Sequence, residues 1–166
     1  MLFVVLAAIM IPVFATARDR ARSTYCLSNE KQLGLGLRMY MEDYDNRFPM
    51  ASNWQLGLTP YVKNASIFHC PSVRPGTTGL GSFVTDYAYN TAFDAMKEAR
   101  LASPATSIVL FETTNPRENS SDAIASLPSP GRHHQGNNFC FSDGHAKWLS
   151  DNEILPQVQL LPDDAR

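Results

Sequence analysis

The run MLFVVLAAIMIPVFATA at positions 1–17 is uncharged, and four charges in five residues follow at once: Arg18, Asp19, Arg20 and Arg22. No other feature narrows the fold as much. A helix built from this run is apolar on every face and has no side suited to water. A secretory signal places its basic residues ahead of the apolar stretch and a small-residue cleavage site behind it. Here the charges come behind. A bilayer-crossing helix needs about 20 apolar residues. This run is shorter and holds Pro12, whose missing N–H bends or loosens a helix. Burial inside the protein's own core is the plainest alternative. The reading that fits the all-round apolarity is a helix surrounded first by lipid and then by copies of itself.

Helical spacing continues without a break after Arg18. In RDRARSTYCLSNEKQLGLGLRMYMEDYDNRFP, Cys26, Leu33, Leu37, Tyr40, Met41 and Tyr44 fall on one broad face. Arg18, Arg22, Asn29, Lys31 and Arg38 lie mainly elsewhere. One helix is expected from near residue 1 to Asp45, about 65 Å long at 1.5 Å per residue, apolar over 1–22 and amphipathic over 23–45. Gly34 and Gly36 weaken a helix interior and suggest close approach of another backbone. Pro49 ends the helix, since the residue before a proline disfavours helical geometry.

The rest of the chain reads as a loop-rich globular region over 46–150 and a polar tail over 151–166. A short helix is expected around 54–62 and short elements near TDYAYN (85–90) and FDAMKEAR. TSIVLFET (106–113) reads as a buried strand, rich in β-branched and aromatic residues. Residues 114–136 read as a polar loop. NNFCFSDGHAKWLS reads as a hairpin, with Asp143-Gly144 as a two-residue turn. The expected class is therefore α+β, a long N-terminal helix packed on a small antiparallel sheet. With 166 residues and a formal charge of −2, the chain suits one domain and offers no general attraction for nucleic acid.

Three segments carry a family resemblance. AAIMIPVFATARDRARSTYCLSNEKQLGLGLRMYMEDYDNRFP is similar to the helix of type IV pilin-like proteins, FHCPS resembles a midchain cysteine motif, and HHQGNNFCFSDG fits a C-terminal H-x9-DG signature. Together they resemble the pseudopilin-type proteins with a prepilin N-terminal methylation segment. The signature residues are His133, Asp143 and Gly144. The resemblance implies a pilin-like fold and a helical homo-oligomeric filament. It also implies residence in the bacterial inner membrane before assembly, contact with pilus or secretion assembly machinery, and an extracellular or periplasmic location afterwards. Its core would be Leu2, Phe3, Val4, Val5, Leu6, Ile9, Ile11, Pro12, Val13 and Phe14. It further places a basic leader, a glycine cleavage site and a glutamate upstream of Met1; with about ten more apolar residues in front, the run is long enough to span a bilayer.

Cys26 and Cys70 are the favoured disulfide pair. Cys26 lies on the sheet-facing stripe and Cys70 precedes a proline in a turn; closing the loop between them contributes about 2–4 kcal/mol. Cys140 then reads as a small buried residue in a strand. No catalytic residue, resident metal or cofactor is expected. His133, Asp143 and His145 are the candidate metal ligands, set against the simpler reading of a hairpin turn and a backbone-bonding histidine. Glu42, Asp43, Asp45 and Asn46 offer oxygen ligands for calcium, against the default of a solvated helix end. No Gly-rich phosphate loop, nucleophile elbow or C-x-x-C pair occurs.

The function expected is structural: a subunit of a type IV pilus-like or type II secretion pseudopilus filament. A membrane-anchored extracytoplasmic binding module that does not polymerise is the alternative, and a metal-dependent enzyme is a third reading.

Overall fold

The computed structural model describes residues 2–73 and 84–158, with side-chain surroundings described for 9–73 and 84–154. Helix α1 runs Leu2–Asp43 as one continuous element of 42 residues. Its C-terminus is set by Asp45 and Asn46, which take φ of 53° and 54°, and the Asn46 N–H donates to Met41 O at 2.8 Å. Asp and Asn tolerate this left-handed region better than other non-glycine residues. The stop thus comes from Asp45-Asn46, ahead of the proline at 49.

A five-stranded sheet stands behind α1 in the order β3-β1-β2-β4-β5. Its strands are β1 (Thr85–Asn90), β2 (Ile108–Arg117), β3 (Ser121–Asp122), β4 (Gly136–Phe141) and β5 (Ala146–Ser150). All pairings are antiparallel except the short β1–β3 pair. The fold is therefore α+β, a long N-terminal helix on a mostly antiparallel sheet, as expected. The first six residues of β2 and all of β1 and β4 are buried, since these three strands occupy the middle of the sheet.

Alternation along the strands assigns the two faces. Tyr87 and Tyr89 of β1, Leu110 of β2 and Cys140 of β4 belong to the core under α1, with Cys26, Leu33, Leu37 and Met41. That core continues into Trp54 and Leu58 of α2 (Trp54–Leu58), with Phe48, Phe68 and Phe93 around them. The Trp54 indole N–H donates to Ser120 O, satisfying the one polar atom of a fully buried ring. Ala88, Phe111, Phe139, Phe141 and Leu149 form a second core with Ile124 and Ile154 on the opposite face.

Four sequence readings change. Tyr44 is exposed and stacks on Tyr40, whereas Asn29, read as outward, is buried and donates to His69 O at 2.9 Å. The 114–136 stretch is not all loop: β2 continues to Arg117 and β3 follows, because residues beyond the buried core still pair through their backbone. The tail begins with helix α3 (Asp151–Val158). Glu153 closes its first turn: the Ser150 N–H and hydroxyl both donate to Glu153 Oε2, at 3.0 and 2.7 Å, the glutamate half of the reciprocal S-x-x-E box. Finally, the β4–β5 turn has three residues, not two. Phe141 N donates to His145 O, Gly144 N donates to Phe141 O, and only Gly144 has positive φ, at 87°. This is a type I turn followed by a left-handed glycine. Asp143 keeps ordinary φ while its carboxylate accepts the His145 N–H at 3.0 Å.

Gly34 explains how α1 meets this turn. A Cβ there would lie 2.6 Å from Cys140 Sγ and 2.8 Å from Gly144 O. The glycine lets helix and hairpin approach with nothing between them. At Gly36 the one close obstacle to a Cβ is a side-chain methyl, Val62 Cγ1, at 2.9 Å, with Tyr61 Cβ at an ordinary 3.7 Å.

Candidate functional site

Two features go beyond what packing needs. The first is the N-terminal part of α1. Residues 9–21 are exposed on every face, and the helix reaches the sheet only from Arg22 onward. Ile11 is 70% exposed, Phe14 64%, Ile9 61% and Val13 59%. Pro12 sits inside this segment, and the Thr16 hydroxyl donates to Pro12 O at 3.0 Å. The charges that follow are solvated; Arg22 lies 3.9 Å from Asp19 in an exposed pair of little energetic weight. The side chains of Leu2, Phe3, Val4, Val5 and Leu6 lie outside the described residues. No helix among the described residues is long and apolar enough to cross a membrane. Complete burial of Ile9, Met10, Ile11, Val13 and Phe14 would be worth about 1 kcal/mol or more for each half-exposed side chain.

The second feature lies where the stem enters the globular domain. Leu110 faces α1, and two residues further along β2 so does Glu112. Asn138, two residues before Cys140 on β4, also faces the helix and donates from Nδ2 to Ser23 O at 3.4 Å. The helix–sheet interface is therefore apolar over Leu33–Met41 and polar toward the stem. Cys26 and Cys70 are joined at disulfide distance, across a separation of 44 residues, as the sequence reading favoured. Cys140 is the free cysteine and is buried; burial, followed by the nearby Glu30 and Asp143 carboxyls, pushes its thiol well above its ordinary range.

Around the bridge are groups that a disulfide does not require. Glu112 is fully buried; its Oε2 accepts the Asn138 N–H at 3.1 Å and its Oε1 lies 2.7 Å from His133 Nε2. Cys70 Sγ is 3.7 Å from Glu112 Oε1 and 3.6 Å from His133 Nε2. Arg132 NH1 stands 3.9 Å from Glu112 Oε1. His133 is held by its backbone: its N–H donates to Gly136 O and its carbonyl accepts the Trp148 indole N–H, each at 2.8 Å. Cys70 N donates to the buried Asp86 at 2.9 Å. One turn beyond Cys26, Glu30 is fully buried and neither of its carboxylate oxygens has a hydrogen-bond partner. Burial chiefly, then the Glu112 charge, holds the Glu30 carboxyl well above its ordinary range, with Arg132 opposing.

The signature residues separate. His133 joins this cluster at the start of β4. Asp143 and His145 sit past the far end of that strand, in an exposed pair with Asp143 Oδ1 2.6 Å from His145 Nδ1. Burial opposes ionisation of Asp143, but the bonds from His145 outweigh it and hold the carboxyl below its usual range. His133, Asp143 and His145 therefore do not converge on one ion. The acidic group near the end of α1 also disperses: Asp43 accepts the Tyr61 hydroxyl at 2.7 Å, and Asp45 and Asn46 are committed to the helix stop. Among the described residues, one set of at least three ligating side chains converges: Cys26, Cys70, Glu112 and His133. Sequence reasoning named Cys26, Cys70 and His133 separately and missed Glu112 and Glu30.

No family model, characterised protein or solved structure matches the chain.

Proposed function

We propose that this protein is the structural subunit of a filament of the type IV pilus or type II secretion pseudopilus kind, assembling through the N-terminal half of α1. The observation that carries this reading is the exposed apolar stem at Ile9–Phe14, rigidly continuous with a helix whose other half is locked to the sheet. Nothing in the described globular domain covers the stem. Side-by-side packing of stems from neighbouring copies removes this surface from water, and the globular domains then form the outer layer. Arg18, Asp19, Arg20 and Arg22 fall at the boundary, where opposite charges on adjacent copies can pair.

The test is to purify the full chain in a mild non-ionic detergent, remove the detergent by dialysis, and examine the product by negative-stain electron microscopy. Regular filaments are expected from the parent chain and none from Val13→Asp/Phe14→Asp, with unchanged far-UV circular dichroism. A parent chain that stays monodisperse without detergent refutes the reading. Vesicle binding without filaments refutes it in favour of a membrane-anchored module.

A further inference from the structure

The polar cluster at the root of the stem has a composition that its disulfide leaves unexplained. A cystine is an apolar, uncharged link and gains nothing from a buried glutamate, histidine and arginine. Yet Glu112 and His133 aim their polar atoms at Cys70 Sγ. The buried side-chain atoms that lack partners among the described residues lie on Glu30, Asp86 and Asn138. Asp86 bonds Cys70 N, Asn138 bonds Glu112 through its N–H, and Glu30 is a turn from Cys26 and within the electrostatic reach of Glu112. Among the described residues, every such atom thus belongs to a residue bonded to a member of the cluster or one helical turn from one. Buried polar groups without partners point to a missing ion or water.

We propose that Cys26, Cys70, Glu112 and His133 form a zinc-class metal site in the dithiol state of the protein, and that the Cys26–Cys70 disulfide is the metal-free alternative of the same four residues. The edges of the cluster support this. In a tetrahedral site with Zn–S of about 2.3 Å and Zn–N or Zn–O of about 2.05 Å, ligand atoms stand about 3.8 Å apart for S–S, about 3.5 Å for S–N or S–O, and about 3.3 Å for N–O. Cys70 Sγ to His133 Nε2, at 3.6 Å, and to Glu112 Oε1, at 3.7 Å, are already close to that length. The His133–Glu112 contact, at 2.7 Å, opens by about 0.6 Å to reach it. The sulfurs separate once the bond between them is broken. All ligating atoms already lie within 4.8 Å of one another.

The surroundings suit the ion as well. Glu112 is oriented by the Asn138 N–H on its other oxygen, and His133 is anchored at both of its backbone polar groups. Such supporting bonds hold ligands in place. Two thiolates and one carboxylate around a divalent cation carry one net negative charge, which the Arg132 guanidinium beside Glu112 neutralises. An open cleft lined by Asp19, Arg22, Ser72, Arg132, His133 and His134 gives a path from solvent to His133.

The exchange balances. A dithiol reductant gives two electrons and two protons to the Cys26–Cys70 bond, itself becoming a cyclic disulfide, and leaves two thiols. The divalent cation then displaces both thiol protons to solvent. His133 ligates as the neutral tautomer protonated on Nδ1, which leaves Nε2 free for the ion.

The experiment uses the full chain in mild detergent and Co2+ as a spectroscopic stand-in for Zn2+. The chain is reduced with a dithiol, freed of reductant without air, and titrated with Co2+. The expected result is about one equivalent bound with the visible absorption of tetrahedral Co2+ and a near-ultraviolet thiolate charge-transfer band. Zn2+ should bleach both, and the oxidised chain should show neither. His133→Gln and Glu112→Gln should each weaken binding by about tenfold or more, while Cys140→Ala and Asp143→Asn/His145→Gln leave it unchanged. Far-UV circular dichroism accompanies each titration. Loss of the spectrum in Cys140→Ala, its retention in Cys26→Ser/Cys70→Ser, its absence from the reduced parent chain, or a reduced chain that is unfolded with and without Zn2+ each overturns the proposal. None of these outcomes depends on whether the stem polymerises.

Discussion

Adding one methyl group at Gly34 and one at Gly36 should have opposite outcomes, although the residues are two apart on the same helix. Both substitutions to Ala gain helix propensity, about 1 kcal/mol in a helix interior. At Gly34 the new Cβ meets Cys140 Sγ at 2.6 Å and Gly144 O at 2.8 Å. Neither can yield. Cys140 is in a central strand paired on both sides, and the Gly144 carbonyl belongs to a turn closed by the Gly144–Phe141 hydrogen bond. Such overpacking costs about 1–3 kcal/mol. At Gly36 the obstacle is Val62 Cγ1 at 2.9 Å, the end of a half-buried side chain that can turn aside. Gly34→Ala should therefore be destabilised by about 1 kcal/mol, and Gly36→Ala should be neutral or slightly more stable. For a domain of this size the two melting temperatures should differ by about 3–6 °C. Urea unfolding in matched detergent, followed by the fluorescence of buried Trp54, measures the difference. If Gly34→Ala proves as stable as Gly36→Ala, the close approach of helix and hairpin is refuted.

Two further outcomes follow from other parts of the fold. Because burial, then Glu112, raises the Glu30 carboxyl in the folded state, folding favours its protonated form. That contribution is complete below its ordinary value of 4.5 and is lost as pH rises toward and through the raised value. Between 4.5 and the raised value, Glu30→Gln should thus gain stability over the parent with a limiting slope of about 1.4 kcal/mol per pH unit, and parallel urea-midpoint profiles for the two chains would exclude it. Glu153→Ala removes the carboxylate that accepts both the Ser150 N–H and hydroxyl and should lower the urea midpoint together with faster amide exchange in 151–154; unchanged exchange there would show that this pair of bonds does not hold the helix.

Local signals carried much of the architecture. The apolar stripe on α1, the β-branched run in β2 and the Asp-Gly turn each act within a few residues, so each can be read in isolation. Where the structure departs from those readings, a second local signal stands in the sequence. Asp45-Asn46 stops α1 before Pro49 does. Ser150 and Glu153 spell a helix start that the prolines of the tail obscured. The turn lengthened to three residues because Asp143 is held by its own side chain bond to His145 and leaves the positive φ to Gly144 alone.

The cluster at the base of the stem was hidden for a different reason. Its four converging side chains come from the middle of a helix, a turn, a strand and a loop, and no spacing in the chain links positions 26, 70, 112 and 133. Only the packing of α1 across β1, β2 and β4 brings them together. One clue was present nevertheless. The apolar stripe of α1 steps from Cys26 to Leu33, then to Leu37 and Met41, and the wide first step leaves room for inward residues at 29 and 30, where Asn29 is buried on His69 O. Beside it Glu30 is fully buried among residues that would otherwise be read as core. A carboxylate there is costly unless something compensates it, so its position on the stripe already says that the helix faces polar ground at that turn. One turn nearer the N-terminus the helix emerges from the sheet toward the exposed stem. Cys26 is its first fully buried residue, and through Cys70 it ties the stem covalently to the sheet. The Cys26–Cys70 link therefore fixes the point at which the exposed apolar segment leaves the sheet.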